Sequence, residues 1–290
     1  MSQNPGVILR KIMKKPGAVV APGAYDGLSA RLIEEAGFQV AYQTGAGSSA
    51  AILGQPDIGL MTMPEMVTHA KNIAGAITIP LIADADTGYG DVINVIRAVH
   101  EYERAGVAAI QLEDQVLPKR CGHLDGKQIA PLEEFIPKLK AAVNERTDKD
   151  LLIIARTDAR AIEGFDRAIE RCKRYIETGV DVIFFEAPQS VDEVEKVIQE
   201  LGDSIPLLSN QVAGGKTPSL TVKELEEIGY KIIIFPSVCV YTASIMLRGI
   251  LTKLKEKGTD HDLVPDGNAM DLFRTMGIDR WLELQEKYRS

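Results

Sequence analysis

The chain has 290 residues, of which 45% are hydrophobic and 26% are charged, a balance that is typical of a globular protein. Its net charge is −8 and its basic residues are dispersed, so we expect neither a nucleic-acid partner nor an anionic membrane partner, because phosphate binding needs concentrated positive charge. The first residues lack an apolar signal-peptide core, and no segment approaches the length of a membrane span. We therefore expect a cytoplasmic protein.

The chain contains three cysteines, Cys121, Cys172 and Cys239. Their odd number and wide spacing argue against a disulfide scaffold and against a structural zinc site. No linker, low-complexity tract or charge block divides the sequence, so a single domain over residues 1–290 is expected.

Short apolar runs recur along the chain at intervals of roughly twenty to forty residues, which is the repeat of a strand–helix barrel. They are almost continuously apolar, as expected for parallel strands that are covered on both sides. The eight predicted strands are residues 18–21, 39–42, 80–84, 108–113, 151–156, 181–186, 206–209 and 231–235.

Amphipathic segments with apolar residues at helical spacing separate these runs. Several of them end next to a glycine, which supplies the left-handed conformation that stops a helix. The predicted helices are residues 27–36, 63–74, 92–105, 132–146, 164–178, 191–201 and 222–228. The alternation predicts an α/β fold, specifically a (β/α)₈ TIM barrel. An open doubly wound sheet is the alternative, but no GxGxxG motif follows the first strand.

A C-terminal helical extension, residues 241–290, exceeds what the barrel needs. Helices are predicted over residues 241–257 and 269–288. Helices that extend beyond a closed barrel often pack on a neighbouring subunit, so an oligomer is expected.

Acidic residues follow the third and fourth predicted strands. Asp84 and Asp86 are two apart, so an extended strand would point both to one face, and Glu113 from the next strand could join them. Converging carboxylates repel each other unless a cation lies between them, and oxygen ligands favour Mg²⁺ or Mn²⁺ over zinc. The alternative interpretation is an Asp-rich turn in which Asp84 caps a helix.

Two further strand ends carry groups that could bind an anion. The small residues Gly45, Ala46 and Gly47 would let a carboxylate approach their backbone amides, although they are also typical of an ordinary flexible loop. Arg156 would clamp a second carboxylate, or form a structural salt bridge with Glu186 or Asp158.

A loop of proton-transfer groups, Lys119-Arg-Cys-Gly-His123, follows the fourth strand. In a barrel enzyme such a loop displays catalytic groups at the carboxyl ends of the strands. A solvated basic loop with an incidental cysteine is the alternative, since most cysteines are buried and inert.

Five motifs, taken in order, resemble the isocitrate lyase / phosphoenolpyruvate mutase superfamily over about residues 5–240. Within it, the chain is most similar to the short 2-methylisocitrate lyases and to the 2,3-dimethylmalate lyases. The motifs are Asp84-Ala-Asp-Thr-Gly-Tyr-Gly, Glu113-Asp-Gln, Lys119-Arg-Cys-Gly-His, Ala155-Arg-Thr-Asp and Asn210.

The resemblance implies a Mg²⁺-dependent enzyme (Mn²⁺ is an alternative), commonly a homotetramer with C-terminal helices exchanged between subunits. It implies that Asp86 binds the metal directly, and that Asp57, Asp84 and Glu113 hold it through water. The substrate, a small di- or tricarboxylate, would be bound by Thr44, Gly45, Ala46, Gly122, Arg156, His123, Glu186 and Asn210.

The implied reaction cleaves the C2–C3 bond of a 2-hydroxy acid and releases pyruvate. Tyr42 is the candidate base on the 2-hydroxyl group, and Cys121 is the candidate acid that protonates the leaving carbon. Lys119, Arg120 and His123 would tune the thiol, and Gly122 would let the loop close.

Two departures from the family pattern leave the substrate open. The chain has Thr44-Gly-Ala-Gly where methylisocitrate lyases usually have Ser-Gly-Gly. The segment after Asn210, Gln-Val-Ala-Gly-Gly-Lys-Thr-Pro, is closer to the dimethylmalate lyase and phosphonomutase-like branches, and the resemblance implies that this segment contacts the C3 substituent. Cleavage of 2-methylisocitrate (to pyruvate and succinate) and of 2,3-dimethylmalate (to pyruvate and propionate) both remain. The alternatives are an oxaloacetate hydrolase or decarboxylase and a carboxyphosphonoenolpyruvate phosphonomutase-like enzyme.

Overall fold

The computed structural model describes residues 4–122, 124–261, 263 and 269–289. Eight parallel strands pair in sequence order, and β8 pairs with β1, which closes the sheet into a barrel. The predicted (β/α)₈ barrel is therefore confirmed. The strands are Val19–Ala24 (β1), Ala41–Gln43 (β2), Leu81–Asp84 (β3), Ala109–Glu113 (β4), Leu152–Thr157 (β5), Val182–Phe185 (β6), Leu207–Asn210 (β7) and Ile232–Phe235 (β8).

Helices surround the strands, and the seven predicted between strands are all present with shifts of a few residues at their ends. The described helices are Pro5–Met13 (α1), Gly27–Glu35 (α2), Gly45–Leu53 (α3), Met63–Ala76 (α4), Val92–Ala105 (α5), Leu132–Glu145 (α6), Arg160–Glu163 (α7), Phe165–Ile176 (α8), Val191–Leu201 (α9), Val222–Ile228 (α10), Val238–Lys257 (α11), Ala269–Thr275 (α12) and Ile278–Arg289 (α13).

Each strand divides its side chains between the inside of the barrel and the surrounding helices, because successive residues point to opposite faces. On β5, Ile154 belongs to the interior cluster, whereas Ile153 and Ala155 pack among the helices. The same alternation points Arg156, at the carboxyl end of β5, into the barrel mouth. The barrel interior is thus apolar along most of its length and polar at the carboxyl ends of its strands.

Helix α1 was not predicted, and it closes the opposite end of the barrel. The side chain of Asn4 accepts a hydrogen bond from the amide of Gly6 at 2.8 Å, which starts the helix. Leu9 is fully buried among interior residues that include Val19 and Leu152, the first residues of β1 and β5. The carboxyl end is therefore the end that remains for a site.

Helix α3 was also missed, because two glycines near its start lower the intrinsic preference for a helix. Thr44 caps it: its hydroxyl accepts a hydrogen bond from the amide of Gly47 at 3.3 Å. The segment that was expected to be a flexible loop is a helix whose N-terminus follows β2 at the barrel mouth.

The C-terminal helices α11, α12 and α13 bury none of their residues. Large apolar side chains lie exposed on them, including Ile245 and Trp281, each 68% accessible. Among the described residues, no helix is both long and apolar enough to cross a membrane.

Candidate active site

A cavity of about 50 Å³ lies at the carboxyl end of the barrel, between the strand ends and residues 115–122 and 124–130, which we call the lid. The structure brings most of the predicted site residues to its wall. Those that line it are Tyr42, Thr44, Gly45, Ala46, Asp57, Asp84, Cys121, Gly122, Arg156, Glu186 and Asn210. Asp86, Glu113 and Lys119 lie beside it in an acidic cluster, and His123 lies outside the described residues.

The N-terminus of α3 forms one wall of the cavity. Gly45 and Ala46 are in its first turn, where backbone amides have no partner within the helix and the helix dipole is positive. A Cβ atom on Gly45 would lie 2.5 Å from Oδ2 of Asp84, so only glycine lets the helix approach this carboxylate. This wall can bind an anion such as a carboxylate.

Lys119 occupies the centre of the acidic cluster that was predicted to hold the metal. Its Nζ atom lies 2.8 Å from Oδ1 of Asp57 and 2.7 Å from Oδ1 of Asp86, and its side chain is 2% exposed. Asp84 and Glu113 are close enough to act on its charge. An ammonium group thus lies between these carboxylates in the structure, and the divalent cation expected there stays a prediction.

The expected reason for the proximity of Asp84 and Asp86 was wrong. Strand β3 ends at Asp84, and Asp86 lies beyond it with a left-handed backbone (φ 48°). Its amide donates a hydrogen bond to Oδ1 of Asp84 at 3.1 Å. A turn, and not the alternation of a strand, therefore brings the two carboxylates together.

Burial controls the charges in this cluster. It raises the pKa of Asp86 to about 6, even though Lys119 acts in the opposite direction. Burial also raises the pKa of Glu113 well above its usual value, against the effects of Arg156 and Lys119. For Lys119, burial alone would lower the pKa, but the carboxylates led by Asp86 outweigh it and raise the pKa well above its ordinary value.

The acidic cluster has donors that suit a hard divalent cation. All four predicted ligands are carboxylates, and both side-chain oxygens of Glu113 are buried without a hydrogen bond from the described residues. Within the described ranges, however, no group of three or more His, Cys, Asp or Glu side chains has a metal-holding arrangement. The donor atoms fit Mg²⁺, and in this structure the ammonium group of Lys119 binds the carboxylates that would hold the ion.

Arg156 is the cation of a second cluster, so the structural salt bridge considered for it exists. Its Nε atom is 2.8 Å from Oδ2 of Asp158, and its terminal nitrogens are 3.2 Å from Glu113 and 3.9 Å from Glu186. Asn210 donates a hydrogen bond to Oε2 of Glu186 at 3.1 Å. The guanidinium group still lines the cavity, so its position also allows the predicted clamp.

Tyr42 points inward from β2 and donates a hydrogen bond to Oε1 of Gln111 at 2.9 Å. Gln111 in turn donates to Oδ1 of Asp84 at 3.4 Å. Burial, followed by the charge of Asp84, raises the pKa of the phenol well above 10, and Arg156 and Lys119 oppose this rise. The hydroxyl therefore keeps its proton in this structure.

The lid covers the cavity and carries Cys121. The amide of Cys121 donates a hydrogen bond to the carbonyl oxygen of Asp57 at 3.1 Å, and the thiol is partly exposed. A Cβ atom on Gly122 would collide with the side chains of Glu186 and Arg156. Glycine at this position is thus what lets the lid backbone close against the two strand ends.

Several residues of the site were missed from the sequence. Lys127 is one of them; it forms a buried ion pair, at 2.7 Å, with Asp158, which had been considered only as a partner of Arg156. Other missed residues line the cavity, namely Phe184, Val212, Ile234, Pro236, Ser237 and Tyr241. Neither spacing nor composition distinguishes these missed residues.

Comparison with known proteins agrees with this geometry. The family model described as phosphoenolpyruvate phosphomutase matches residues 9–254. The chain belongs to the phosphoenolpyruvate mutase/isocitrate lyase superfamily. The family expected from the motifs is therefore confirmed.

Several members of the superfamily are similar over almost their whole length. The 2,3-dimethylmalate lyase of Eubacterium barkeri is 44% identical over 99% of both chains. The 2-methylisocitrate lyase of Aeropyrum pernix is 45% identical over 90% of this chain and 83% of its own. The structure of an oxaloacetate acetylhydrolase with the inhibitor 3,3-difluorooxalacetate superimposes with a TM-score of 0.94 at 38% identity, covering 98% of this chain and 97% of its own.

Proposed function

We propose that this protein is a Mg²⁺-dependent carbon–carbon lyase that cleaves the C2–C3 bond of a 2-methylmalate-type dicarboxylate and releases pyruvate. One observation carries the proposal: a single small cavity joins the N-terminus of α3, the guanidinium group of Arg156 and the thiol of Cys121. An anion site, a second cation and a proton donor are what such a cleavage needs. The similarity to two lyases supports the same reaction.

The substrate would be held by its two carboxylates. The carboxylate of the pyruvate half would bind the backbone amides of Gly45 and Ala46, next to Thr44. The carboxylate on C3 would bind Arg156, which Glu186 and Asn210 orient. The bond to be broken then lies between the two anion sites.

Cleavage needs one proton removed and one delivered. In its ionised form, Tyr42 accepts the proton of the 2-hydroxyl group and later releases it to solvent; the C2–O bond becomes the ketone of pyruvate, and the electrons of the C2–C3 bond pass to C3 and its carboxylate. Cys121 then protonates C3, and exchange with solvent returns a proton to the thiol. When bound, Mg²⁺ supplies a positive charge that stabilises the developing oxygen anion. The role of Tyr42 requires the ionised phenol. Burial and the charge of Asp84 oppose its formation, whereas Arg156, Lys119 and the positive charge that Mg²⁺ would supply act in the favourable direction.

The charge balance around the cavity supports the need for a divalent cation. Among the described residues, the two clusters together hold six carboxyl groups but three cations, Lys119, Arg156 and Lys127. An incoming dicarboxylate adds two more negative charges. Mg²⁺, or alternatively Mn²⁺, on Asp86 with Asp57, Asp84 and Glu113 nearby would offset them.

The cavity lining favours a small apolar group on C3. Val212, Pro236 and Phe184 supply apolar surface, and Arg156 is the sole cation among the described residues that line the cavity. Against the described residues of this lining, a third carboxylate, as in 2-methylisocitrate, would be desolvated without a cation of its own. We therefore favour a methyl substituent, as in 2,3-dimethylmalate.

A product assay tests this function. The protein is incubated in Mg²⁺ with 2,3-dimethylmalate, 2-methylisocitrate, isocitrate or oxaloacetate, and the products are separated by chromatography. Pyruvate with propionate supports the full proposal. Pyruvate with succinate at a higher kcat/KM keeps the lyase but contradicts the apolar C3 site. If oxaloacetate alone is consumed, giving oxalate with acetate or giving carbon dioxide, the lyase is contradicted. A separate incubation with phosphonopyruvate is monitored by phosphorus NMR, and turnover of that compound alone also contradicts the lyase.

We also propose that the C-terminal helices pack against other copies of the chain in a cytoplasmic homotetramer. The exposed apolar side chains of α11 and α13, such as Ile245 and Trp281, support this, because a monomer rarely exposes a large continuous apolar surface. Light scattering should give the mass of a tetramer, and Ile245→Glu should reduce it. The control Ile93→Glu, at an exposed position on α5, should not. A monomeric wild-type protein would contradict the proposal.

A further inference from the structure

We propose that Lys127 is the latch of the lid: its ammonium group ties the Gly122 carbonyl to Asp158 of the barrel and so positions Cys121 over the cavity. The catalytic purpose of the latch rests on the proposed function, whereas the contact itself is independent of that function. It assigns Lys127 a positioning role and not a catalytic one, since the contacts that it makes are with the lid and with the barrel.

The contact is short and buried. The Nζ atom of Lys127 lies 2.6 Å from the carbonyl oxygen of Gly122 and 2.7 Å from Oδ1 of Asp158. The side chains of Lys127 and Asp158 are 2% and 0% exposed. A lysine loses solvation when it is buried to this extent, so both hydrogen bonds must be kept for the closed arrangement to be stable.

Asp158 is a rigid anchor on the barrel side. It follows β5, and its amide donates a hydrogen bond to Oδ1 of the buried Asp114 at 2.8 Å. Its carboxylate also accepts two hydrogen bonds from Arg156, at 2.8 and 3.1 Å. An ammonium group that binds this carboxylate is therefore fixed with respect to the cavity.

The latch acts next to the proposed proton donor. Gly122 is adjacent to Cys121, so fixing its carbonyl oxygen restricts the backbone that carries the thiol. The lid has a second buried connection through Lys119, but that one ends on Asp57 and Asp86, which the proposed cation would share. Lys127 uses Asp158, which is outside that set. Its connection can therefore persist when the cation binds.

Two variants separate this latch from a general contribution to folding. Lys127→Met removes the ammonium group and keeps an unbranched stem. Lys216→Met is the matched control, because Lys216 also pairs with the lid, at Asp125, but through an exposed bridge of 2.8 Å. Exposed pairs contribute little, so the control should behave as wild type.

The readout is the rate at which iodoacetamide alkylates each cysteine of the whole protein, resolved by peptide mass spectrometry, in EDTA and again in Mg²⁺. Lys127→Met should raise the rate at Cys121 about tenfold or more, as expected for losing a charge-assisted hydrogen bond. Cys172 is fully buried in the core and reports global unfolding, so its rate should stay unchanged.

An unchanged rate at Cys121 would overturn the proposal. So would a parallel rise at Cys172, because Lys127 would then be a determinant of the fold. If the Met variant does not fold, Lys127→Gln, which keeps a polar side chain but removes the positive charge that pairs with Asp158, is judged by the same criteria. Failure of both variants to fold also overturns the latch.

Steady-state kinetics add a readout that depends on the proposed function. With a turned-over substrate, Lys127→Met should lower kcat by roughly 10- to 100-fold, since a misplaced acid slows the chemical step, with a smaller change in KM. If no lyase substrate is found, the alkylation rates still decide the latch. The two hypotheses can thus fail independently.

Discussion

Replacing Lys119 with Met should destabilise the protein in the absence of divalent cations and increase its response to Mg²⁺. The ammonium group of Lys119 lies within 2.8 Å of both Asp57 and Asp86. Met keeps an unbranched stem and removes the charge. The variant therefore leaves the acidic cluster without its internal cation, while the sites proposed for Mg²⁺ remain.

The size of the effect follows from burial and from the proton affinity of Asp86. Removing one partner of a buried ion pair typically costs about 3–5 kcal/mol, because the other charge stays behind. Asp86 can relieve part of this by binding a proton, since its pKa is about 6 even with Lys119 present. We therefore expect the lower end, about 3 kcal/mol near neutral pH, or a decrease in Tm of roughly 6–12 °C.

Thermal unfolding in EDTA and in saturating Mg²⁺ measures both parts of this prediction. A ligand at 100 times its Kd stabilises by about 2.7 kcal/mol, so Mg²⁺ should restore most of the loss in Lys119→Met. The wild-type protein should gain less, because its ammonium group competes for the same carboxylates. The control is Lys173→Met, which breaks an exposed pair with Glu200 and should change Tm little. Equal Mg²⁺ responses in wild type and Lys119→Met would refute the reasoning.

Three further outcomes are expected. Cys121→Ser should lower kcat for pyruvate release by about 10²-fold or more and keep the Mg²⁺-dependent rise in Tm; wild-type turnover would show that another group is the acid. Gly45→Ala should weaken pyruvate binding in calorimetry, because the added Cβ would lie 2.5 Å from Asp84; unchanged affinity would contradict the anion site at α3. The pKa of Asp86 is about 6 in the folded protein and 3.8 in the unfolded chain, so the folded state binds the proton more tightly. The stabilisation that protonated Asp86 gives to the folded state is therefore complete below about pH 4 and is lost as the pH rises through about 6. In EDTA, the unfolding free energy of wild type minus that of Asp86→Asn should therefore fall by about 3 kcal/mol over this range, and a flat difference would refute the raised pKa.

The barrel could be predicted because its signal repeats. Parallel strands buried on both faces leave nearly continuous apolar runs, and glycines such as Gly106 and Gly229 mark where helices end, with a left-handed backbone in the structure. Helix α3 escaped because its glycine-rich start resembles a loop, and helix α1 escaped because it precedes the first strand and so lies outside the repeated strand–helix alternation. Leu9 reveals its role only when the amino end of the barrel is assembled around it.

The charged residues at the strand ends could be predicted for the same reason, since a strand end fixes where a side chain such as that of Asp84 or Arg156 points. The residues that the two lid lysines contact could not be predicted. Whether Lys119 reaches Asp57 and Lys127 reaches Asp158 depends on the path of the lid, which crosses the barrel mouth far from those residues in sequence. The sequence placed Lys119 beside the thiol, whereas its side chain lies among the carboxylates.

The lid is joined to the barrel by two lysines, and the proposed cation would compete with one of these contacts but not with the other. Lys119 and Mg²⁺ would compete for Asp57 and Asp86, so binding of the ion should release one connection of the lid. Lys127 holds Asp158, which has no part in that competition, so the second connection should remain. A lid held at both points would hinder entry of the substrate, and a lid held at neither would expose the carbanion to water. A lid that exchanges one connection for the cation and keeps the other can admit the substrate and still return Cys121 to C3.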